Sequence, residues 1–387
     1  MDLDFSEEQH MLREMVRGVC TEHCPIEVVR AMEDDSKGYA PEFWKQLGEL
    51  GLTGITLPEQ YGGGGQGLLE AAILYEELGR ALAPSPHFVS AVMSGGVLVA
   101  AGSEEQKKAW LPRIASGEAI LTPAWSEPER GFGPEGVALP ARRDGDDTVL
   151  DGLKRHVLFA SSADRLLVLA RGDDGVDADR LLVLARGDDG VELLLVDPQA
   201  PGVQLEQQKS LAADTQYQVT FDGVRVPATD RIGEPGTGWE TWSRVMHDGI
   251  TLLAAWAMGG MERAVEITVE YAKERKQFDK PLGAFQAVSH YLADASTHVD
   301  GGKTLVYEAA WARDAGRSIE RLAPMAKLFA CQAYRDATAM CQQVWGGVGF
   351  TLEYDIQLFF RRAKQLQITW WDTAYLEDQV AASILDN

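Results

Sequence analysis

No stretch of the 387 residues approaches the run of about 20 apolar residues that a membrane-spanning helix requires. Cysteine is scarce: Cys20, Cys24, Cys331 and Cys341 are too few for a disulfide framework in so long a chain. Free thiols in a reducing, cytoplasmic compartment are therefore expected. Positive charge is also short, with 36 Lys and Arg against 59 Asp and Glu and a formal net charge of -23. Such a surface repels nucleic-acid phosphates and anionic membranes, so neither is expected as a partner. The opening MDLDFSEEQHMLREMV lacks a basic n-region and an apolar h-region, and no secretory leader is expected. Cys20 and Cys24 lie one helical turn apart around His23. That spacing matches neither CxxC nor a paired zinc motif, so they read as small core residues and no metal site is expected. The glycine-rich YGGGGQG (Tyr61 to Gly67) follows no apolar strand run and holds no GK[ST]. It reads as a flexible connection between helices rather than a phosphate cradle.

What is present has three parts. The first third reads as helix. Ser6 before Glu7 and Glu8 suits an N-cap, Phe43 and Leu47 recur at helical spacing, Gly51 suits a stop, and Leu68 to Leu82 ends at Pro84 and Pro86. From about Leu121 to Ile232, short apolar or alternating runs (HVLF, RLLVLAR, ELLLVDP, YQVTFDGVRVP) are punctuated by Gly, Asp and Pro, the pattern of an antiparallel β domain. From about Gly238 long helical periodicity returns. The expectation is an α+β chain: an N-terminal helical domain over residues 1–120, a middle β domain over 121–235 and a C-terminal four-helix bundle over 236–387. Within the middle part, ADRLLVLARGDDGV (163–176) repeats identically at 178–191. Two copies make no solenoid. A tandem duplication or an extra hairpin would each produce this.

Three local patterns carry a family resemblance. Tyr271 to Asp294, YAKERKQFDKPLGAFQAVSHYLAD, offers Arg275 as a charge and Gln286 as an amide for a pyrophosphate, with Phe278 as an apolar wall. Gln343 to Lys364, QVWGGVGFTLEYDIQLFFRRAK, offers Gln343 and the glycine pair Gly346 and Gly347, whose backbone a ligand can approach closely. Leu121 to Gly131, LTPAWSEPERG, is followed by GLKRHVLFASSAD (Gly152 to Asp164). In this order the three resemble the acyl-CoA dehydrogenase family over nearly the whole chain. The resemblance implies FAD as cofactor, held through Trp125, Ser126, Gly131, His156, Leu158, Arg275, Phe278, Gln286, Gln343, Gly346 and Gly347. It also implies that the Arg275 stretch serves the FAD of a neighbouring subunit. Asp279 stands where the family usually has Gly, and His156 and Leu158 where Trp and Thr are usual. Ser126 can donate the same hydroxyl hydrogen bond as the family's Thr.

In this family the flavin accepts a hydride from the β-carbon of an acyl thioester while a carboxylate removes the α-proton. Here AKQLQITWWDTAYLED places Trp370 where that Glu is expected, and an indole takes no proton. The family's alternative position falls at Gly249 or Ile250, which are not acidic either. Asp248, His87 and Asp372 are the substitutes in the chain, each also readable as a surface charge, a core histidine or a cap. A retained scaffold without the usual Glu resembles the acyl-CoA dehydrogenases of bacterial steroid side-chain and cyclic-acid catabolism. Trp370, Trp371, Trp256 and Trp345 suit an aromatic wall for a bulky acyl group, or a plain core. Three functions follow from the resemblance: desaturation of a bulky or cyclic acyl-CoA, other thioester chemistry such as β-elimination of a sulfinate, or a non-catalytic partner subunit. An acyl-CoA substrate, an acceptor such as an electron-transferring flavoprotein, and a homo- or hetero-oligomer (dimer or tetramer) go with it.

Overall fold

The computed structural model describes residues 5–172 and 190–385. Most of the second repeat copy thus lies outside the described residues. In chain order the helices are α1 (Glu7–His23), α2 (Ile26–Ala31), α3 (Pro41–Glu49), α4 (Leu68–Arg80), α5 (Gly95–Ala101), α6 (Glu104–Ala115), α7 (Gly238–Glu274), α8 (Gln286–Asp314), α9 (Leu322–Trp345), α10 (Ile356–Ile368) and α11 (Thr373–Leu385). The strands are β1 (Leu121–Ala124), β2 (Pro140–Asp144), β3 (Asp147–Leu158), β4 (Arg165–Gly172), β5 (Val191–Val196), β6 (Val203–Gln208), β7 (Gln216–Val226), β8 (Arg231–Ile232), β9 (Lys276–Gln277) and β10 (Lys280–Pro281). They fall into two compact units. One is Met1–Ala31, Gln66–Pro84 and His247–Asn387; the other is Met32–Gly65 and Ser85–Met246.

The second unit carries the sheet, in the order β6-β7-β3-β2-β4-β5-β8, with β1 beside β4. Most pairings are antiparallel, as the alternating runs predict, but β1 and the start of β2 run parallel to β4. β4 is central and buried on both faces from Leu166 to Ala170, which explains why RLLVLAR is continuous rather than alternating. Leu150, Val157, Val168, Val219 and Phe221 form the core under the sheet. The helices of this unit are pinned by polar contacts to the chain near β1. Trp44 Nε1 donates to Gly117 O at 2.9 Å and Thr53 Oγ1 to Ala115 O at 2.5 Å. The YGGGGQG stretch is not a loose connection. A Cβ at Gly63 would lie 2.1 Å from Leu57 O, so the backbones touch where only glycine fits.

The other unit is all helix apart from one hairpin. Ser6 caps α1 in a capping box with Gln9. Arg17 on α1 pairs with both oxygens of the buried Glu77 on α4, at 2.8 and 2.7 Å. α4 and α7 meet backbone to backbone. A Cβ at Gly79 would lie 2.0 Å from Trp256 O, and one at Gly259 would lie 1.9 Å from Glu76 O. Gly302 on α8 and Gly260 on α7 leave room instead for the side chains of Met258 and Tyr334. Among the described residues no helix is long and apolar enough to cross a membrane, and no cluster of ligating side chains could hold a metal ion. All four cysteines are buried and free. Burial raises the Cys20 and Cys24 thiols, Cys24 to about 12, as expected of inert core residues.

Candidate active site

At one end of the helical unit, α7 runs into the β9–β10 hairpin, which leads to α8. The two-residue turn is Phe278 and Asp279, at φ 52° and 59°. A turn with both central residues left-handed is the type that matches strand twist. Asp tolerates it, whereas a bulky residue there costs about 1–2 kcal/mol. Phe278 is nevertheless 88% exposed and meets the edge of Phe285, with ring centroids 6.4 Å apart. Its own chain gains little from the strain. Arg275 is exposed beside it, and Gln286 opens α8, whose N-terminus has no side-chain cap.

The glycine turn after α9 lies at the same end. Tyr271 on α7 stacks on Trp345 at 4.0 Å, Trp345 Nε1 donates to Thr268 Oγ1 at 3.0 Å, and Ala272, Leu292 and Val344 share one cluster. Gly346 sits at φ 65°, and a Cβ at Gly346 or Gly347 would meet nothing within 4 Å. Gln343 is exposed on the last turn of α9. Next to it Gln342, 4% exposed, has neither amide atom hydrogen-bonded, and Gly349 packs on its Oε1. Residues 275, 278, 286, 343, 346 and 347 are therefore brought together.

In the sheet unit, the loop after β1 is tied to β3. Lys154, fully buried, donates to Glu127 Oε1 at 2.6 Å and to Trp125 O at 3.2 Å. The same carboxylate oxygen accepts the backbone N–H groups of Ala138 and Leu139, both at 2.9 Å. Burial lowers the Lys154 ammonium to about 8 against the opposing pull of Glu127. Arg155 N donates to Ser126 O at 2.8 Å, which sets Ser126 beside His156. His156 is left-handed at a bulge of β3, with Nδ1 2.9 Å from Gln216 Oε1. Thr122 Oγ1 donates to Leu158 O at 2.6 Å. Trp125 packs against Phe132 and Trp242, with centroids 5.9 and 5.6 Å away, and so brings the Gly131 loop back over itself. Ser126, Trp125, Gly131, His156 and Leu158 thus line one loop-and-strand edge.

Trp370 and Trp371 form the bend between α10 and α11, both left-handed at φ 52° and 70° and both buried. Trp371 meets His247 edge-on at 5.1 Å and Tyr375 at 5.2 Å. Trp345 and Trp256 are engaged elsewhere, with Tyr271 and Tyr354 and with Tyr334. Asp248 is held by Arg313 through both oxygens, at 2.7 and 3.1 Å. Asp372 Oδ1 accepts Tyr375 N at 3.0 Å as the cap of α11. His87 is 2% exposed with Nε2 3.0 Å from Leu52 O, and burial lowers it to about 4. The three substitutes for the base are thus an ion-pair partner, a helix cap and a buried neutral imidazole. Sequence reasoning missed the roles of Glu127, Lys154, Lys327 and Gln342. The signal for Lys327 was a lone cation in the otherwise small and apolar APMAKLFACQA.

A mixed sheet preceded and followed by helices in chain order, with an aromatic SEP loop in one unit and a hairpin beside a double-glycine turn in the other, is the pattern of an acyl-CoA dehydrogenase-like fold. The family models described as acyl-CoA dehydrogenase N-terminal and C-terminal domains match residues 6–118 and 236–385. The chain is 32% identical over 377 residues to a probable acyl-CoA dehydrogenase of Bacillus subtilis, YngJ, covering 95% of each chain. It is 29% identical to a 3-(aryl)acrylate reductase of Clostridium sporogenes, covering 98% of this chain and 99% of that one. A solved steroid ACAD variant, Tcur3481-Tcur3483, is 30% identical with a TM-score of 0.85, covering 98% of each chain. The chain belongs to the acyl-CoA dehydrogenase family, flavin-dependent oxidoreductases that bind FAD and act on CH–CH bonds. The hairpin end fits that cofactor. An uncapped helix N-terminus, open glycines, an exposed aromatic in costly backbone and an unpaired buried amide all offer what a flavin dinucleotide takes up.

Proposed function

We propose that the chain is an FAD-binding subunit of an acyl-CoA dehydrogenase that desaturates a bulky or cyclic acyl-CoA thioester. The observation that carries the reading is the hairpin end of the helical unit. There Arg275 would meet the pyrophosphate of a neighbouring subunit's FAD, Gln286 and Gln343 would add amide hydrogen bonds, Gly346 and Gly347 would admit the phosphates and Phe278 would cover the adenosine. FAD, when bound, supplies the hydride acceptor for the β-carbon. Ser126 and its loop, with Trp125 and Trp242 behind it, would orient the flavin ring in the sheet unit. Trp370 and Trp371 would wall the acyl group and exclude water. The bulk of the substrate is supported by these indoles and by two relatives, one described as a steroid ACAD and one as a 3-(aryl)acrylate reductase. An electron-transferring flavoprotein is the proposed acceptor, a dimer or tetramer the proposed assembly, and the cytoplasm, which keeps buried thiols free, the proposed compartment.

A second reading is supported by one observation: Asp248, His87 and Asp372 are all engaged, while the family resemblance reads Trp370 at the base position. On it, this chain completes an FAD and CoA site whose base comes from an unlike partner subunit. Anaerobic titration decides. Bleaching of the bound flavin by a cyclic acyl-CoA but not a straight-chain one supports the first reading. Flavin binding with no bleaching by either supports the second. A chain purified with FAD that neither binds FAD again after its removal nor responds to any acyl-CoA would sink both.

A further inference from the structure

The turn that carries the two tryptophans is organised by a side chain on another helix. Lys327, on α9, is fully buried. Its Nζ donates to Leu366 O and Thr369 O, both at 3.0 Å, and to Trp371 O at 2.8 Å. An ammonium has three N–H groups, and all three are used. The acceptors are the last free carbonyls of α10 and the carbonyls of the bend that follows. Cys331 Sγ also approaches Leu366 O at 3.7 Å, and Thr369 Oγ1 closes the helix on Gln365 O at 2.9 Å. Two consecutive left-handed non-glycine residues would ordinarily relax. Here they turn the carbonyls of Thr369 and Trp371 to the same point as that of Leu366. Three carbonyl oxygens, two of them buried, that converge on one point repel unless a cation sits between them, and the negative end of α10 favours that cation. Burial lowers the Lys327 ammonium, while Cys331 and Asp372 support its charge.

We propose that Lys327 is a positioning residue for acyl-group selection: by gathering the carbonyls of Leu366, Thr369 and Trp371 it holds Trp370 and Trp371 in left-handed backbone and so fixes the wall they form. Only the selection half rests on the reading that these indoles face the acyl group; the clamp stands on the hydrogen bonds. The tandem tryptophans and the lysine act as one unit. The lysine contributes no contact to substrate, and the tryptophans cannot keep their rotation without it.

The test uses the full chain labelled with fluorotryptophan, in which Trp370→Phe and Trp371→Phe assign two fluorine resonances. In Lys327→Met those two resonances shift or broaden, while those of Trp44, Trp110 and Trp125 in the sheet unit stay in place. Calorimetric titration with cyclohexanecarbonyl-CoA and hexanoyl-CoA then shows the preference for the cyclic thioester falling by about tenfold. If Lys327→Met fails to fold, Lys327→Arg decides the matter, because a planar fork cannot serve three carbonyls that converge on one nitrogen. The same two resonances must move in it. Unmoved resonances in a folded variant overturn the clamp. Moved resonances with an unchanged preference overturn the role in selection. A wild-type chain that binds neither thioester overturns the proposed function, and the fluorine spectra still decide whether Lys327 holds the turn.

Discussion

The SEP loop of the sheet unit and the hairpin end of the helical unit are each proposed to contact a flavin dinucleotide, but their chains hold them in opposite ways. In the sheet unit the SEP loop is closed from within: Glu127 takes one buried ammonium and two backbone N–H groups. At the hairpin end the backbone pays for left-handed Phe278 and leaves its ring in water. The first arrangement is complete in one chain. The second has strain, open glycines and an unpaired amide, and gains from whatever comes to cover it. The difference separates residues whose loss costs folding from residues whose loss costs binding.

The sharpest way to break the comparison is Lys154→Met. It leaves the Glu127 carboxylate buried without its cation, which should destabilise the chain by about 3–5 kcal/mol. The two N–H donors that remain at Glu127 place the value toward the lower bound. Denaturant titration checks this, and Glu127→Gln combined with Lys154→Met should cost less than Lys154→Met alone. A loss below about 1 kcal/mol would show that the loop is not held by the pair.

His87 tests the same unit through pH. Unfolded, the imidazole takes its proton near 6.5; folded, burial holds it to about 4. The unfolded state therefore binds more protons between these values. The stability is full above pH 6.5 and is lost as pH falls toward 4, by about 3 kcal/mol. Other carboxylates titrate in the same window, so the quantity to measure is the difference from His87→Gln, which keeps a donor for Leu52 O. That difference should shrink from neutral pH to pH 4. A constant difference would mean that His87 titrates in the fold as it does unfolded, so that its neutral imidazole is available near pH 7, and would restore it as a candidate base.

Much of this was legible in the residues. Helix, sheet and helix followed from the change of hydrophobic period, and the Ser6 cap and the end of α4 from local rules. The residues proposed to hold FAD at the hairpin end were legible only as a linear motif, whose members the folding of Tyr271 on Trp345 then gathers. What could not be read was engagement. Asp248, His87 and Asp372 carry suitable groups in suitable places, but Arg313, Leu52 and Tyr375 claim them, and those partners lie 65, 35 and 3 residues away. Nor could periodicity show that the YGGGGQG stretch is packed against Leu57, because close backbone approach leaves no side chain to count. Lys327 was marked only as a lone cation in an apolar stretch, and its role could not be read because its partners are carbonyls, which every residue has.

The smallest expected effect in stability sharpens the comparison most. Phe278→Gly removes an exposed ring and frees the turn from a left-handed cost of about 1–2 kcal/mol, against which glycine loses about 0.5–1 kcal/mol of additional chain entropy. Folding stability should then stay within about 1 kcal/mol of the wild type, on the stabilising side. Asp279→Gly changes less, because Asp already tolerates this backbone and its side chain is exposed. Both variants should melt at or slightly above the wild-type temperature when stripped of flavin. They should differ when FAD is returned: Asp279→Gly binds as the wild type does, and Phe278→Gly binds more weakly, because only the first keeps the ring that covers the adenosine. Equal FAD affinity in the two variants would mean that the exposed phenylalanine serves neither the fold nor the cofactor. A clear loss of stability in Phe278→Gly would mean that the hairpin end is as self-contained as the Glu127 loop, and the distinction between the two regions would fall.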